Sequence, residues 1–318
     1  PDIARVLNRI GNIENREGKF EEALAYYQRA LIANSSTFNQ QDIALNPPSG
    51  SYYNANTMLN SLYFKAQALE DYHFNFSLDF KDLKRSLSTL YVCDSLIDNI
   101  RKTATNKADK IAIGALAAQV YENGVRISYA MADLTFKKDE YFEHAFYFAE
   151  KSKAAVLLQA ISDASAKSFA NIPSHELEKE KYYQTEIAFY EQKLSEKNTE
   201  QQNDLRSDLL SLKQEYLSFV KKLEDNYPQY YNLKYNIGIP SIADLQNTMD
   251  DNTALISYFL SDVYNRIYVF QITKDKIKVD NVNQTEDFNR YLSGFRNSMY
   301  FQDKEVYQVT AEELYSFL

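Results

Sequence analysis

The side chains that could act as nucleophiles, bases or metal ligands are few and widely separated in this 318-residue sequence. A cysteine nucleophile needs a nearby base and an electropositive setting. The single cysteine, Cys93, instead stands at a small-residue position of a helical pattern, which indicates a buried structural thiol. None of the three histidines, His73, His144 and His175, has a second ligand at metal-binding spacing. We therefore predict no catalytic residue, no metal site and no cofactor.

Two other patterns have simple structural interpretations. The seven glycines are scattered singly, so the sequence has no glycine-rich loop of the kind that binds phosphate. Glu150 and Lys153 lie three residues apart in a helical pattern, which favours an intrahelical ion pair or contacts at a domain junction over catalysis.

Polar side chains along one N-terminal helix are better suited to binding a peptide. Arg5, Asn8, Asn12 and Arg16 recur every three or four residues, away from the positions that pack. Asparagine and arginine at such positions can hydrogen-bond an extended peptide backbone or its carboxylates. We predict a protein or peptide ligand at these four residues, with an ordinary solvated helix face as the alternative.

The helix that carries this face belongs to a helix pair over residues 3–33. Small residues allow two antiparallel helices to approach closely, and larger residues fill the gaps between them. The pattern is large-x-x-large-small, a turn over 18–22, and then small-x-x-x-aromatic-x-x-small, which resembles the tetratricopeptide repeat. The residues at these positions are Leu7, Ile10, Gly11, Ala23, Tyr27 and Ala30.

Further helix pairs follow with less regular spacing. After a predicted loop over 34–56, apolar stripes predict helices over 58–69 and 83–97, joined by a long turn over 73–80. A helix over about 107–124 then leads to a third pair over 129–158, which breaks at 137–140. The small positions Ala23, Ser86 and Ala145 are 63 and 59 residues apart, nearly twice the repeat period of about 34. We expect an extra helix, a loop or drifted repeats in these gaps, and 107–124 favours an unpaired or degenerate repeat.

The next segment carries a heptad pattern. Apolar residues recur at alternating steps of four and three over 183–194 and again over 205–223, with a polar break at 196–203 between them. This pattern predicts an antiparallel helical hairpin. We favour a hairpin that packs on its own chain, and dimerisation as a coiled coil is the alternative.

The pattern changes again after Pro240. Ser241 can cap a short helix through Met249, and runs of β-branched and aromatic residues over 254–260, 266–272 and 276–282 predict three strands. Helical spacing returns over 288–300 and 311–318. Three strands and two partial helices do not close an independent α/β domain, so we expect the sheet to continue beyond Leu318 or to dock on another surface.

The order of these elements resembles that of proteins in which a CHAT domain, a caspase-like domain, follows a tetratricopeptide array. The resemblance covers roughly residues 129–282. It is carried by Glu150, Lys153, Ala154 and Leu157–Leu158, and by the segments 226–230 (NYPQY), 242–246 (IADLQ), 252–259 (NTALISYF) and 266–270 (RIYVF). It implies a cysteine peptidase in which a histidine supports a thiolate and backbone amides hold the oxyanion. In that family the histidine and cysteine segments lie well downstream of these strands, so no catalytic residue is assigned to this chain.

Composition and charge restrict the partners further. The net charge of −9 and the lack of a basic block argue against a nucleic-acid-binding face and against a membrane-surface patch. No apolar run approaches the roughly 18 to 20 residues of a membrane-spanning helix. A lone cysteine rules out an internal disulfide and fits a reducing compartment. We therefore predict a cytoplasmic protein, and we expect it to be a monomer.

Together these patterns predict a mostly α-helical protein in three parts. Residues 1–165 form tetratricopeptide-like helical repeats, residues 166–235 form a long helical hairpin linker, and residues 236–318 form the truncated N-terminal part of a CHAT-like α/β domain. The predicted function is a protein–protein interaction scaffold that forms the recognition and regulatory arm of a CHAT-type cysteine peptidase, with the catalytic part absent from this chain. The alternative is a non-enzymatic adaptor with a pseudo-enzyme or interaction-only C-terminal domain.

Overall fold

The computed structural model describes residues 1–50, 52–103, 107–160, 172–195, 202–228, 238–261 and 263–317. The chain is mostly helical, with a three-stranded sheet near its C-terminal end, as the sequence predicted. It forms two compact units: Pro1–Ile127 with Glu150–Ile239, and Ser128–Ala149 with Pro240–Leu318. The domain boundaries expected near residues 165 and 235 fall in 161–171 and 229–237, outside the described residues, and stay predictions.

The first helix pair consists of α1 (Asp2–Arg16) and α2 (Phe20–Ala33). The two helices come close together at Gly11. A Cβ atom at this position would lie only 2.7 Å from Cε1 of the Tyr27 ring, so the approach requires glycine. Gly18 turns the chain between the helices with φ +78°, a conformation that residues with a Cβ atom rarely adopt. The predicted helix pair and the packing role of its small residue are confirmed.

A second, longer pair consists of α3 (Ala55–Tyr72) and α4 (Phe80–Thr103). The segment between α2 and α3 is a loop, as predicted, and the side chain of Asn54 caps α3 by accepting a hydrogen bond from the main chain of Thr57. One turn of π-helix (His73–Ser77) and Leu78, with φ 52°, join α3 to α4. These residues form the long turn that the sequence predicted over 73–80.

The third pair consists of α5 (Lys107–Asp133) and α6 (Lys138–Ala160), and both helices contribute residues to each unit. The helix predicted over 107–124 and the one predicted around Tyr129 are a single helix, so their separation in the prediction was wrong. Val120, Val125 and Ile127 are fully buried in this region. Such packing offsets the roughly 1 kcal/mol cost of Gly124 inside a helix.

The wide spacing of the small positions has a simple cause in the described residues. Only residues 104–106 separate α4 from α5, so no unpaired or degenerate repeat stands between the second and third pairs. That expectation was wrong. The extra length comes from the loop between α2 and α3 and from helices of 18 to 27 residues in place of the 14 and 15 residues of the first pair.

The predicted helical hairpin is formed by α7 (Ser174–Ser195) and α8 (Gln202–Asn226). Side chains at the heptad positions of both helices form its core, which includes Ile187, Tyr216, Phe219 and Leu223. An ion pair of 2.7 Å joins Glu191 of α7 to Lys213 of α8. α8 also contacts α4 of the same unit. The hairpin therefore packs on its own chain, as favoured from the sequence.

The second unit contains a short helix, a sheet and two further helices. α9 (Ile242–Asn247) is capped by Ser241 through a capping box with Asp244. The strands β1 (Ala254–Ser261), β2 (Arg266–Thr273) and β3 (Ile277–Asn283) form an antiparallel sheet in the order β1-β2-β3. They are followed by α10 (Glu286–Phe301) and α11 (Lys304–Phe317). All three predicted strands are confirmed.

Both faces of β2 are covered, which explains its continuous apolar sequence. On one face, Ile267 and Val269 pack with Phe288 of α10 and Leu314 of α11. On the other face, the ring of Tyr268 lies 5.5 Å from that of Tyr129, and the ring of Phe270 lies 5.7 Å from that of Phe146. The segment Ser128–Ala149 thus forms the second layer against the sheet.

Candidate peptide-binding surface

The two arginines predicted to bind a partner are exposed on α1. Arg5 forms an ion pair of 3.0 Å with Asp2, which is itself largely exposed. Arg16 lies near the C-terminal end of α1, and Arg9 is exposed between them. Within the described part of the chain, neither Arg9 nor Arg16 has a carboxylate at ion-pair distance. α1 therefore presents three guanidinium groups to solvent.

The two asparagines predicted with them are less accessible. Asn12 is half-buried, and its Oδ1 accepts a hydrogen bond of 2.7 Å from the hydroxyl of Tyr27. Asn8 is only 5% exposed, and its Nδ2 donates to Oγ of Ser61 on α3 at 2.9 Å. Asn8 thus joins α1 to α3, and Asn12 joins α1 to α2.

A line of side chains on α3 extends this surface. α3 is buried on nearly every side, and its half-buried positions include Asn56, Asn60, Phe64, Gln67 and Asp71, at steps of four, four, three and four. Nδ2 of Asn60 donates to the main-chain oxygen of Asn56 at 2.7 Å. The sequence-based prediction missed this line. Its signal was a set of amides at helical spacing, Asn56, Asn60 and Gln67, in a helix whose other residues are mostly apolar.

Hydrogen bonds and an ion pair hold the first helices of successive pairs side by side. Besides the contact between Asn8 and Ser61, Nδ2 of Asn15 donates to Oδ2 of Asp71 at 2.8 Å, which joins α1 to α3 a second time. Glu70 of α3 forms an ion pair with Arg126 of α5. These contacts fix the spacing of the three helices, so the surface is already formed without a ligand.

The pKa of the Glu70 carboxyl group is strongly shifted by its surroundings. Its side chain is buried between helices, and burial raises the pKa of Glu70 to about 7 from an ordinary value of 4.5, although the guanidinium of Arg126 opposes this. Arg126 also donates to Oδ1 of Asn123 at 2.7 Å. Glu70, Arg126 and Asn123 thus form a polar cluster between α3 and α5 that holds these helices together.

Residues 4–36 match the family model of the tetratricopeptide repeat. The match covers the pair α1 and α2, where Gly11 and Tyr27 meet. Repeats of this kind stack into extended surfaces that bind proteins, so the match supports a role in protein–protein interaction. No curated protein matches the chain.

The side chains considered for catalysis lie in different environments. Cys93 is fully buried in α4, and burial raises the pKa of its thiol, which opposes formation of a thiolate. His73 is buried with Nδ1 2.9 Å from the main-chain oxygen of Asp79. His144 is half-buried, and burial lowers its pKa. His175 is exposed beside Glu176.

Three further observations concern an ion pair, metal-binding clusters and membrane-spanning helices. Glu150 and Lys153 form the expected intrahelical ion pair, at 2.6 Å. Among the described residues, no cluster of three or more histidine, cysteine, aspartate or glutamate side chains has a geometry that could hold a metal ion. Over the same residues, no helix combines the length and apolar character needed to cross a bilayer.

Proposed function

We propose that this chain is a protein-binding scaffold whose α1–α3 surface binds an extended peptide. The observation that carries the proposal is a polar surface formed by fixed helices. Exposed Arg5 and Arg16 flank half-buried amides, and Asn8–Ser61 and Asn15–Asp71 hold the two helices in place. A surface that is already formed loses less entropy when it binds.

The side chains suggest how each part of the peptide is recognised. The amides of Asn12, Asn60 and Gln67 can bond the peptide main chain, which has no side-chain specificity of its own. The guanidinium groups of Arg5 and Arg16 supply charge-assisted hydrogen bonds to carboxylates, either of acidic residues or of a free C terminus. The ligand class is therefore an extended peptide that carries negative charge.

Fluorescence anisotropy with a set of labelled decapeptides, acidic and basic, with free or amidated C termini, tests this proposal. We expect the acidic peptides or those with a free carboxylate to bind, and Arg16→Ala to weaken binding by about tenfold, the effect of losing one charge-assisted hydrogen bond. Arg29→Ala removes an exposed arginine from α2 of the same pair and serves as the matched control. Equal weakening by both variants, or binding of basic peptides alone, would contradict the assignment of the surface.

We further propose that the sheet unit belongs to a CHAT-type domain and that the helical repeats are the recognition and regulatory arm of a cysteine peptidase. Support comes from the resemblance of residues 252–259 and 266–270 to the first strands of that family, together with their position as neighbouring strands β1 and β2. The observation that favours a non-enzymatic adaptor instead is the burial of Cys93, the single cysteine of the sequence, which raises the pKa of its thiol.

A cysteine-directed covalent probe applied to the product of the full gene separates these two functions. Labelling that survives Cys93→Ala and is lost when another cysteine is changed to alanine supports the peptidase. Absence of labelling, or labelling confined to Cys93, supports the adaptor. Sedimentation velocity of the same protein tests the proposed monomer against dimerisation through the α7–α8 hairpin.

A further inference from the structure

The turn between α3 and α4 presents large apolar side chains to water. Phe76 is 72% exposed, Leu78 is 75% exposed, and Phe74 is exposed as well. The ring of Phe76 stacks on that of Tyr72 with centroids 5.5 Å apart, and the Tyr72 ring lies 6.3 Å from that of Phe20 on α2. Together these five side chains form an apolar tip. Single exposed apolar residues are common, whereas a contiguous group of them indicates a surface that contacts another molecule.

Hydrogen bonds hold this turn in one conformation. The main-chain N–H of Leu78 donates to the main-chain oxygen of His73 at 3.0 Å, and Nδ1 of His73 lies 2.9 Å from the main-chain oxygen of Asp79. Oγ of Ser77 donates to Oδ2 of Asp82 on α4 at 2.7 Å. The apolar side chains are therefore displayed by a fixed turn, which loses less entropy on binding than a mobile one.

The backbone of Leu78 adds a second observation. Its φ of 52° lies in the left-handed region, which glycine and asparagine adopt more easily than leucine. A leucine here is thus unfavourable for the backbone, and its side chain gains little from packing because three quarters of it is in water. Residues in such conformations cluster at binding sites. An apolar side chain at this position favours a contact with another molecule.

Carboxylates surround the apolar tip. Oε1 of Glu21 accepts a hydrogen bond of 2.8 Å from the hydroxyl of Tyr72, and Asp71 and Asp79 lie at the two ends of the turn. In the described part of the chain, none of these three carboxylates has a lysine or arginine at ion-pair distance. Lys81 of α4 is an exposed base nearby, so negative charge predominates. Such a surface attracts cationic groups and repels anionic ones.

We propose that the apolar tip docks a segment of a partner protein that presents an aromatic or aliphatic side chain next to lysine or arginine. The apolar side chain packs on Phe76 and Leu78, and the cation lies near Glu21. A second copy of this chain fits poorly, because a two-fold contact would bring the same carboxylates of both copies together. A membrane surface also fits poorly, because its anionic headgroups would meet these carboxylates. The preferred charge is opposite to that of the α1–α3 surface, so the two sites are independent.

Selection of a random dodecapeptide library, displayed on phage, against the whole chain tests this surface. The same selection is run on Phe76→Ser and on Phe301→Ser, which removes an equally exposed ring (73%) from α10. We expect peptides that combine an aromatic or aliphatic residue with lysine or arginine to be enriched on the unaltered chain and on Phe301→Ser, and to be lost on Phe76→Ser. Acidic peptides that require Arg16 report on the α1–α3 surface, so failure of one site is distinguished from failure of the other.

Fluorescence anisotropy with one enriched basic peptide then separates the apolar from the charged contribution. Phe76→Ser should weaken binding at least about tenfold, the effect of removing a central aromatic anchor. Glu21→Gln keeps an acceptor for the Tyr72 hydroxyl and removes the charge, and it should weaken binding about threefold. Leu78→Asn introduces a residue that adopts the left-handed conformation more easily. It should therefore keep or raise the thermal midpoint and still weaken binding.

Three results would overturn the proposal. The first is the absence of any enriched class that requires Phe76, and the second is a Phe76-dependent class that is acidic. The third is self-association in sedimentation velocity, or binding to phosphatidylserine vesicles, that is lost in Phe76→Ser. If Phe76→Ser does not fold, Leu78→Asn decides the matter by the same measurements.

Discussion

The first and second helix pairs share one topology and are held together by different contacts. α1 and α2 are joined by only three residues and meet at Gly11, where the Tyr27 ring fills the space that a side chain would occupy. α3, in the second pair, buries the charged residues Lys65 and Glu70 and bonds both to other elements. The first pair is therefore stabilised by close approach, and the second depends on polar contacts between distant parts of the chain.

The strongest test of this comparison is removal of the guanidinium that pairs with Glu70. Arg126→Leu leaves a carboxyl group that is 2% exposed without its charged partner, which costs about 3 kcal/mol of unfolding free energy. Since burial already raises the pKa of Glu70 to about 7, protonation relieves part of this loss in acid. We therefore expect the urea midpoint to fall more at pH 8 than at pH 6.

An exposed ion pair on α1 provides the control for that experiment. Arg5→Leu breaks the contact with Asp2, in which both side chains are mainly in water, and such pairs contribute at most about 1 kcal/mol. A similar loss for Arg5→Leu and Arg126→Leu, or a loss for Arg126→Leu that does not change with pH, would show that α3 does not depend on a buried charge.

The same contrast separates what the sequence could predict from what it could not. α1 and α2 were predictable because Gly11, Ala23 and Tyr27 lie close together along the chain and act within one helix pair. The hairpin and the three strands were predictable for the same reason, since a heptad period and short runs of β-branched and aromatic residues are local patterns. Contacts that join residues far apart in the sequence leave no such periodic signal.

The proposed binding surface shows what a local pattern leaves out. The polar face of α1 suggested Arg5, Asn8, Asn12 and Arg16 as equivalent residues, yet Asn8 faces Ser61, which is 53 residues away. α5 was predicted as two helices, one over 107–124 and one around Tyr129, whereas it is a single helix in which Val125 and Ile127 are fully buried. In both places tertiary packing decides the outcome, and a single sequence does not report it.

A smaller effect is expected from adding a methyl group where α1 and α2 approach each other most closely. In Gly11→Ala the new methyl group would lie 2.7 Å from the Tyr27 ring, and the ring is held by the hydrogen bond of its hydroxyl to Asn12. Overpacking should cost about 2 kcal/mol, from which about 1 kcal/mol is recovered because alanine favours the helix. Gly50→Ala, where a methyl group meets no atom within 4 Å, should leave the thermal midpoint unchanged. A rise in the thermal midpoint for Gly11→Ala would mean that α1 and α2 can move apart without a loss of stability.

An effect no larger than that of Gly11→Ala is expected at the junction between the two pairs. Asn8→Ala removes the hydrogen bond to Oγ of Ser61, while that hydroxyl keeps its own bond of 2.8 Å to the main-chain oxygen of Thr57. Oδ1 of Asn8 has no hydrogen-bond partner among the described residues, so one bond is lost, which is worth about 1 kcal/mol. Arg9→Ala, at the next, exposed position, should change the urea midpoint much less. Asn8 and Asn15 both join α1 to α3. If peptide binding requires these two helices to be held rigidly, Asn8→Ala should also weaken peptide binding. Unchanged binding would show that the Asn15–Asp71 contact alone holds the two helices in place.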